Sequence, residues 1–212
     1  MNFDVDRNRN LSYTEHMGKD PMSMDGREFV ELLHQNPVIA AVKDWDGLAK
    51  CLESECQVVF ILFGTVLNIA DTAARVKAAG KLAMIHVDLV DGLAARDVAV
   101  EFIATQTQAD GIISTRQNLV RRAKALGLLC VQRFFVLDSM ALVTIQRQHA
   151  AEATDAIEIL PGALFKVIRK LCGEIGKPII AGGLISDKED IVGALDAGAV
   201  AISSTNQDVW FM

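Results

Sequence analysis

The sequence predicts an α/β protein built as a single, small (β/α)8 barrel. Two observations predict it. Eight short apolar runs rich in β-branched residues alternate with helical stretches, and the spacing of roughly 22 to 25 residues is typical of repeated strand–helix units. The runs are apolar on both faces, as parallel strands covered by helices must be. Because an open doubly wound sheet usually has fewer strands, we expect the eight to close into a TIM-type barrel.

Eight strands are predicted from the apolar runs, each bounded by turn-forming or polar residues. They span 37–43, 57–63, 81–88, 110–114, 128–135 and 155–160, with the last two inside 177–185 and 197–205.

The helices are predicted from apolar residues at helical spacing between these runs. Several end at a glycine, the residue that most readily adopts the backbone conformation after a helix. A short helix at 27–33 comes before the first strand, and the others span 44–52, 69–79, 95–107, 117–126, 139–149, 162–175, 187–197 and 207–210.

Residues 1–23 are polar and show no periodicity, so we expect a flexible extension before a barrel domain that spans 24–212. At 212 residues, 51% of them hydrophobic, the chain can bury one sizeable core. No apolar run is long enough for a membrane span, so no membrane partner is expected. A net charge of −6 gives no overall signal for nucleic acid.

No cofactor, metal ion or catalytic residue is predicted. The glycine-rich fingerprint of dinucleotide-binding folds does not follow the first strand. Cys51, Cys56, Cys130 and Cys172 form no C-x-x-C pair, so they are interpreted as reduced thiols of a cytoplasmic protein and not as a zinc site.

A phosphate site is predicted at the ends of the last two strands. Gly182 and Gly183 follow the seventh strand, and Ser203, Ser204 and Thr205 end the eighth. Glycine turns and helix N-termini expose backbone N–H groups to anions, and the loops after strands seven and eight often bind phosphate in this fold. The alternative is that the glycines only close a turn and the serines only cap a helix.

Charged residues collect at the same end of the predicted barrel, its C-terminal mouth. By strand alternation, His86, Asp88 and Glu158 point inward. The mouth charges predicted to bind a small phosphorylated polyol are Lys43, Asp88, Arg116, Arg133 and Glu158. Two alternatives stay open: the carboxylates could form structural ion pairs with these cations, and His86 could be a hydrogen-bonded core histidine.

Taken together, the motifs at the strand ends resemble the glycerol uptake operon antiterminator family. They match from about Pro37 to the C-terminus, in register across seven strands. The matching stretches are His86-Val87-Asp88-Leu89, 111–116, 132–138, 158–162, 181–185, and Ser204-Thr205-Asn206 with Trp210.

This resemblance implies a TIM-barrel regulator with glycerol 3-phosphate as its effector and no enzymatic activity. Its partner would be the leader mRNA of a glycerol-metabolism operon. Binding would let RNA polymerase read through a terminator and could stabilise the message. A homo-oligomer is left open. The local basic stretch Arg121, Arg122 and Lys124 is the predicted RNA contact, although a charged outer helix face is also an ordinary feature.

A second hypothesis is a barrel enzyme, an isomerase or synthase acting on a phosphorylated metabolite. Such an enzyme needs a general base or a Schiff-base lysine. Asp88, Glu158 and Lys43 could serve.

Overall fold

The predicted barrel is confirmed. In a computed structural model of the chain, which describes residues 24–148 and 154–212, eight parallel strands form a closed barrel in sequence order. The strands are β1 Val38–Val42, β2 Val58–Ile61, β3 Leu82–His86, β4 Gly111–Ser114, β5 Leu129–Phe135, β6 Ala156–Leu160, β7 Ile179–Gly182 and β8 Ala201–Ser204. The expectation for residues 1–23 lies outside the described residues.

Helices cover the outside of the barrel. They are α2 Trp45–Glu53, α3 Ile69–Ala78, α4 Asp97–Gln106, α5 Gln117–Ala125, α6 Ser139–Gln148, α7 Phe165–Glu174 and α8 Lys188–Asp196, each after one of the first seven strands. After β8 there is only a short 3-10 helix, Gln207–Phe211, whose Trp210 is buried against the helices and strands beside it.

The helix before the first strand, α1 (Gly26–Gln35), begins at a capping box. The Asp25 side chain accepts from the N–H groups of Arg27 and Glu28, while the Glu28 side chain accepts from the Asp25 N–H. Its apolar residues Phe29 and Leu33 are fully buried among the inward-facing side chains of the strands. Helix α1 therefore closes the N-terminal end of the barrel, and in the described part of the chain the C-terminal mouth remains open to a ligand.

Alternation along the strands separates an interior core from an outer one. On β3, Met84 packs inside the barrel, whereas Ala83 and Ile85 pack against the helices. The same alternation turns Arg133, Glu158 and Ser203 inward at the mouth.

Two of the predicted boundaries that differ from the structure lie beside the mouth. The third strand ends at His86 and not at Asp88, because Val87–Leu89 form a 3-10 turn that is held by hydrogen bonds to the Asp88 carboxylate. Helix α7 begins at Phe165 and not at Gly162, because the Gly162 N–H donates to the carbonyls of Gly182 and Gly183.

Candidate ligand-binding site

A cavity of about 260 Å3 lies at the C-terminal mouth. Its walls come from the ends of β1, β2, β5 and β6 and from the loops after β7 and β8. It brings together two groups that the sequence predicted separately, the mouth charges Arg133 and Glu158 and the phosphate-site residues Gly183, Ser203, Ser204 and Thr205.

A buried charged pair forms the floor of this cavity. Arg133 and Glu158 are direct neighbours in the pairing of β5 with β6, and Arg133 Nε donates to Glu158 Oε2 at 2.5 Å. Ser203 Oγ donates to the other carboxylate oxygen, Oε1, also at 2.5 Å. The Glu158 side chain is 0% exposed and that of Arg133 is 7% exposed. Within the described residues the terminal amino groups of Arg133 make no hydrogen bond, so they are available to an anion.

Gly182 is required by the way this pair is packed. A Cβ atom at Gly182 would lie 2.5 Å from Glu158 Oε1 and 2.7 Å from Ser203 Oγ. Gly183 has a φ of +72° and Leu184 a φ of +58°, so both lie in the left-handed region that glycine favours. In the described part of the chain the Gly183 N–H has no acceptor, and it lines the cavity.

The loops after β7 and β8 are held together by Ser204 and Asn206. Ser204 Oγ donates to the Ile185 carbonyl at 2.7 Å and accepts from the Asn206 N–H at 3.0 Å. Asn206 Nδ2 donates to the Ser186 carbonyl at 2.9 Å. The Ser204 hydroxyl is therefore already engaged, and its carbonyl accepts from Trp210 Nε1 at 2.8 Å. Asn206 was missed as a site residue, although its place after two serines and a threonine, before a helix, is typical of a cap.

Asp88 lies in a second polar cluster of the mouth. Its Oδ2 accepts from Ser114 Oγ at 3.0 Å and from the Thr115 N–H at 2.8 Å. The other oxygen, Oδ1, is buried and makes no hydrogen bond with the described residues. Its nearest cation is the Arg116 Nε at 3.4 Å, on a side chain that is 56% exposed. Asp88 therefore offers one carboxylate oxygen as an acceptor.

His86 lies beside Asp88 and is buried, with its Nδ1 3.8 Å from Asp88 Oδ2. Burial, reinforced by the positive charge of Arg133 and opposed by Asp88, lowers the pKa of His86 from 6.5 to about 4. The imidazole is therefore neutral near pH 7. Its Nδ1 makes no hydrogen bond within the described ranges, so His86 is buried like a core histidine but lacks the partner such a histidine normally has.

The other predicted site residues lie apart from the cavity. Lys43 is exposed just after β1 and forms no ion pair with any described residue. On α5, Arg122 pairs with Glu101 at 2.7 Å and Lys124 pairs with Asp155 at 2.5 Å. Arg121 is exposed and forms no ion pair with the described residues.

The described residues contain no group of three or more metal-ligating side chains. No helix among them is long and apolar enough to cross a membrane. The four cysteines are thiols, and burial raises the pKa of Cys51 and of Cys130 to about 12, which keeps both thiols protonated.

Comparison with known proteins gives one family. The family model described as glycerol-3-phosphate responsive antiterminator matches residues 38–210, which confirms the resemblance drawn from the motifs. The chain is 45% identical over 181 residues to a protein of Escherichia coli (strain K12) named uncharacterized protein YgcP, and the match covers 85% of this chain and 95% of the relative.

Two solved structures support the same assignment. The glycerol uptake operon antiterminator regulatory protein from Listeria monocytogenes str. 4b F2365 is 33% identical, with a TM-score of 0.79 over 82% of this chain and 94% of that protein. A glycerol uptake operon antiterminator-related protein from Thermotoga maritima MSB8 is also 33% identical, with a TM-score of 0.74 over 84% and 99% of the two chains.

Proposed function

Since the chain belongs to the glycerol-3-phosphate responsive antiterminator family, we propose that glycerol 3-phosphate binds at the C-terminal mouth and controls binding to leader RNA. The single observation that carries the ligand part is the Arg133 guanidinium. Its Nε is held by Glu158, and it lines a cavity together with Gly183 and the end of β8. An arginine held in this way is suited to a phosphate dianion.

In this proposal the phosphate lies between Arg133 and the two loops. The backbone N–H groups of Gly183, Ser203, Ser204 and Thr205 would donate to the phosphate oxygens. Gly182, which has no side chain, would leave space beside them. Glu158 contributes by holding Arg133, since both of its oxygens already accept hydrogen bonds. Lys43 and Arg116 are cations on the approach to the mouth and would draw the anion toward it.

The glycerol hydroxyls would be bound by the second polar cluster. Asp88 Oδ1 can accept from a hydroxyl, and the nearby Nδ1 of neutral His86 has no partner among the described residues. His86 is close enough to both Asp88 and Arg133 for each charge to affect its pKa, so the two clusters belong to one mouth. A ligand with an anionic end and a hydroxylated end matches this arrangement.

The RNA part of the proposal rests on the family and on the exposed cations of the outer helices. We propose a cytoplasmic regulator, not an isomerase or synthase, that binds the leader mRNA of a glycerol-metabolism operon and can stabilise that message. The α5 stretch Arg121, Arg122 and Lys124 is the contact predicted from the sequence, and two of these cations, Arg122 and Lys124, already form ion pairs.

Asp88→Ala is expected to weaken the binding of glycerol 3-phosphate by about tenfold or more and to leave that of inorganic phosphate almost unchanged. The loss follows from one hydrogen bond to a charged group, worth about 1.5–3 kcal/mol. Calorimetric titration of both ligands against both proteins measures it. Asp71→Ala, which removes an exposed carboxylate from α3, is the matched control and is expected to change neither affinity.

The same samples separate a sensor from an enzyme. Phosphorus NMR of the protein mixed with glycerol 3-phosphate is expected to show the ligand unchanged. A thermal melt of the same mixture is expected to show that the ligand raises the melting temperature of the protein. Conversion of the ligand to another phosphorylated species would contradict the regulator. Equal loss of both ligands in Asp88→Ala would make Asp88 part of the scaffold.

A further inference from the structure

Helix α7 carries a second basic surface on the outside of the barrel. Lys166, Arg169 and Lys170 are all exposed, and their spacing of three and four residues places them on one face of the helix. Ile168 and Leu171 are buried on the opposite face. We call the three cations the basic face of α7.

No described residue forms an ion pair that would neutralise this face. None of its three cations forms an ion pair with a described residue. The one acidic residue of the helix, Glu174, accepts a hydrogen bond from Gln146 at 2.6 Å. Gly173 continues the same stripe, and a Cβ atom there would meet nothing within 4 Å. The stripe is therefore exposed and not covered by the described residues.

Helix α5 has fewer unpaired cations for RNA phosphates than α7, although its sequence is equally basic. Two of its three cations are already held by carboxylates, Arg122 by Glu101 and Lys124 by Asp155. A phosphate that contacts them would have to compete with those ion pairs. In a chain of net charge −6, contiguous unpaired cations are what RNA phosphates require.

The segment that enters α7 is bonded directly to the predicted phosphate site. The Gly162 N–H donates to the Gly182 carbonyl at 2.6 Å and to the Gly183 carbonyl at 2.9 Å. A Cβ atom on Gly162 would lie 2.8 Å from the Gly182 nitrogen, so the two backbones are in contact. Three residues later α7 begins at Phe165. A ligand that fixes Gly183 therefore also fixes the start of α7.

We propose that the basic face of α7 is the surface that contacts RNA phosphates, and that the effector at the mouth acts on it through Gly162. This rests on the proposed function, because it assumes both the RNA and the phosphate ligand. It assigns the RNA contact to α7 in place of α5, and it gives the coupling between the sites a physical route.

The test compares two adjacent pairs of cations. The α7 pair is the double variant Arg169→Gln with Lys170→Gln, and the α5 pair is Arg121→Gln with Arg122→Gln. Each double variant removes two positive charges from neighbouring positions of one outer helix. RNA affinity is measured at several salt concentrations, with the leader transcript of a glycerol-metabolism operon as the probe. The α7 pair is expected to lose at least about tenfold in affinity and to reduce the slope of log K against log salt by about 1 to 2. The α5 pair is expected to keep its RNA affinity within about twofold of the wild type and to keep the wild-type salt slope.

Three results are informative. A loss of RNA affinity in the α7 pair alone supports the assignment of the RNA contact to α7. Loss in the α5 pair with full binding by the α7 pair overturns it and leaves the proposed function standing. If the wild-type protein binds no leader RNA with or without glycerol 3-phosphate, the proposed function fails and the α7 surface fails with it.

The route through Gly162 has a separate readout that needs no variant. Glycerol 3-phosphate is expected to slow amide hydrogen exchange in residues 160–170 more than in residues 116–125. Equal protection of both segments, or none at 160–170 while the ligand raises the melting temperature, would contradict the route.

Discussion

Glu158→Ala is expected to destabilise the barrel by about 3–5 kcal/mol, because it leaves the buried Arg133 guanidinium without its carboxylate. Glu158 is fully buried and accepts from both Arg133 and Ser203. Removing it leaves a positive charge and a hydroxyl in the barrel interior without their shared acceptor. Unfolding by urea, followed by circular dichroism, measures the change in the free energy of unfolding.

Glu101→Ala is the control. It breaks another Arg–Glu pair, with Arg122, whose side chains are 35% and 44% exposed, so we expect a loss of only about 0.2–1 kcal/mol. Similar losses in the two variants would show that Arg133 reaches solvent when Glu158 is removed, and the account of a rigidly held guanidinium would then be wrong.

Gly183→Val is expected to abolish ligand-induced stabilisation. At 100 times its dissociation constant, glycerol 3-phosphate should stabilise the wild-type protein by about 2.7 kcal/mol. A Cβ atom at Gly183 would lie 3.3 Å from Leu160 Cδ2, at the wall of the cavity proposed for the phosphate. The φ of +72° at this position also disfavours any residue but glycine by about 1–2 kcal/mol. Thermal melts with and without the ligand measure both effects.

Gly80→Val separates the effect on the ligand from backbone strain. Gly80 has a nearly equal φ of +74°, and a Cβ atom there would meet nothing within 4 Å. It follows α3, at the end of the barrel opposite the mouth. This variant is expected to lose the stability that the left-handed φ costs a valine and to keep the full ligand shift. A ligand shift that survives in a folded Gly183→Val protein would remove Gly183 from the phosphate site.

The fold could be predicted from the sequence because its signal is local. Runs such as 58–61 are apolar on both faces, which is the pattern of a parallel strand that is covered by helices. Alternation also predicted correctly that Glu158 points inward. The turn at Val87–Leu89 was missed because its bonds come from Ser114 and Thr115, 26 and 27 residues further along the chain.

The site could be predicted only in part, because its contacts join residues that are far apart in the sequence. Alternation along a strand gives the side to which Arg133 and Glu158 point, but their pairing depends on the register between β5 and β6, which no single strand reveals. The ion pairs of Arg122 and Lys124 likewise join residues that are 21 and 31 positions apart. The sequence therefore predicts an RNA contact on α5 without revealing the ion pairs that two of its cations form.

The proposed ligand at the mouth controls binding of RNA to the outside of the barrel. The most direct test is a titration of the leader transcript with the wild-type protein, without glycerol 3-phosphate and with it at saturation. A coupling of about 1–3 kcal/mol predicts a change of about 5- to 150-fold in RNA affinity, and RNA must then tighten the ligand by the same factor. An RNA affinity that glycerol 3-phosphate leaves unmoved, in a protein shown to bind that ligand, would contradict the claim.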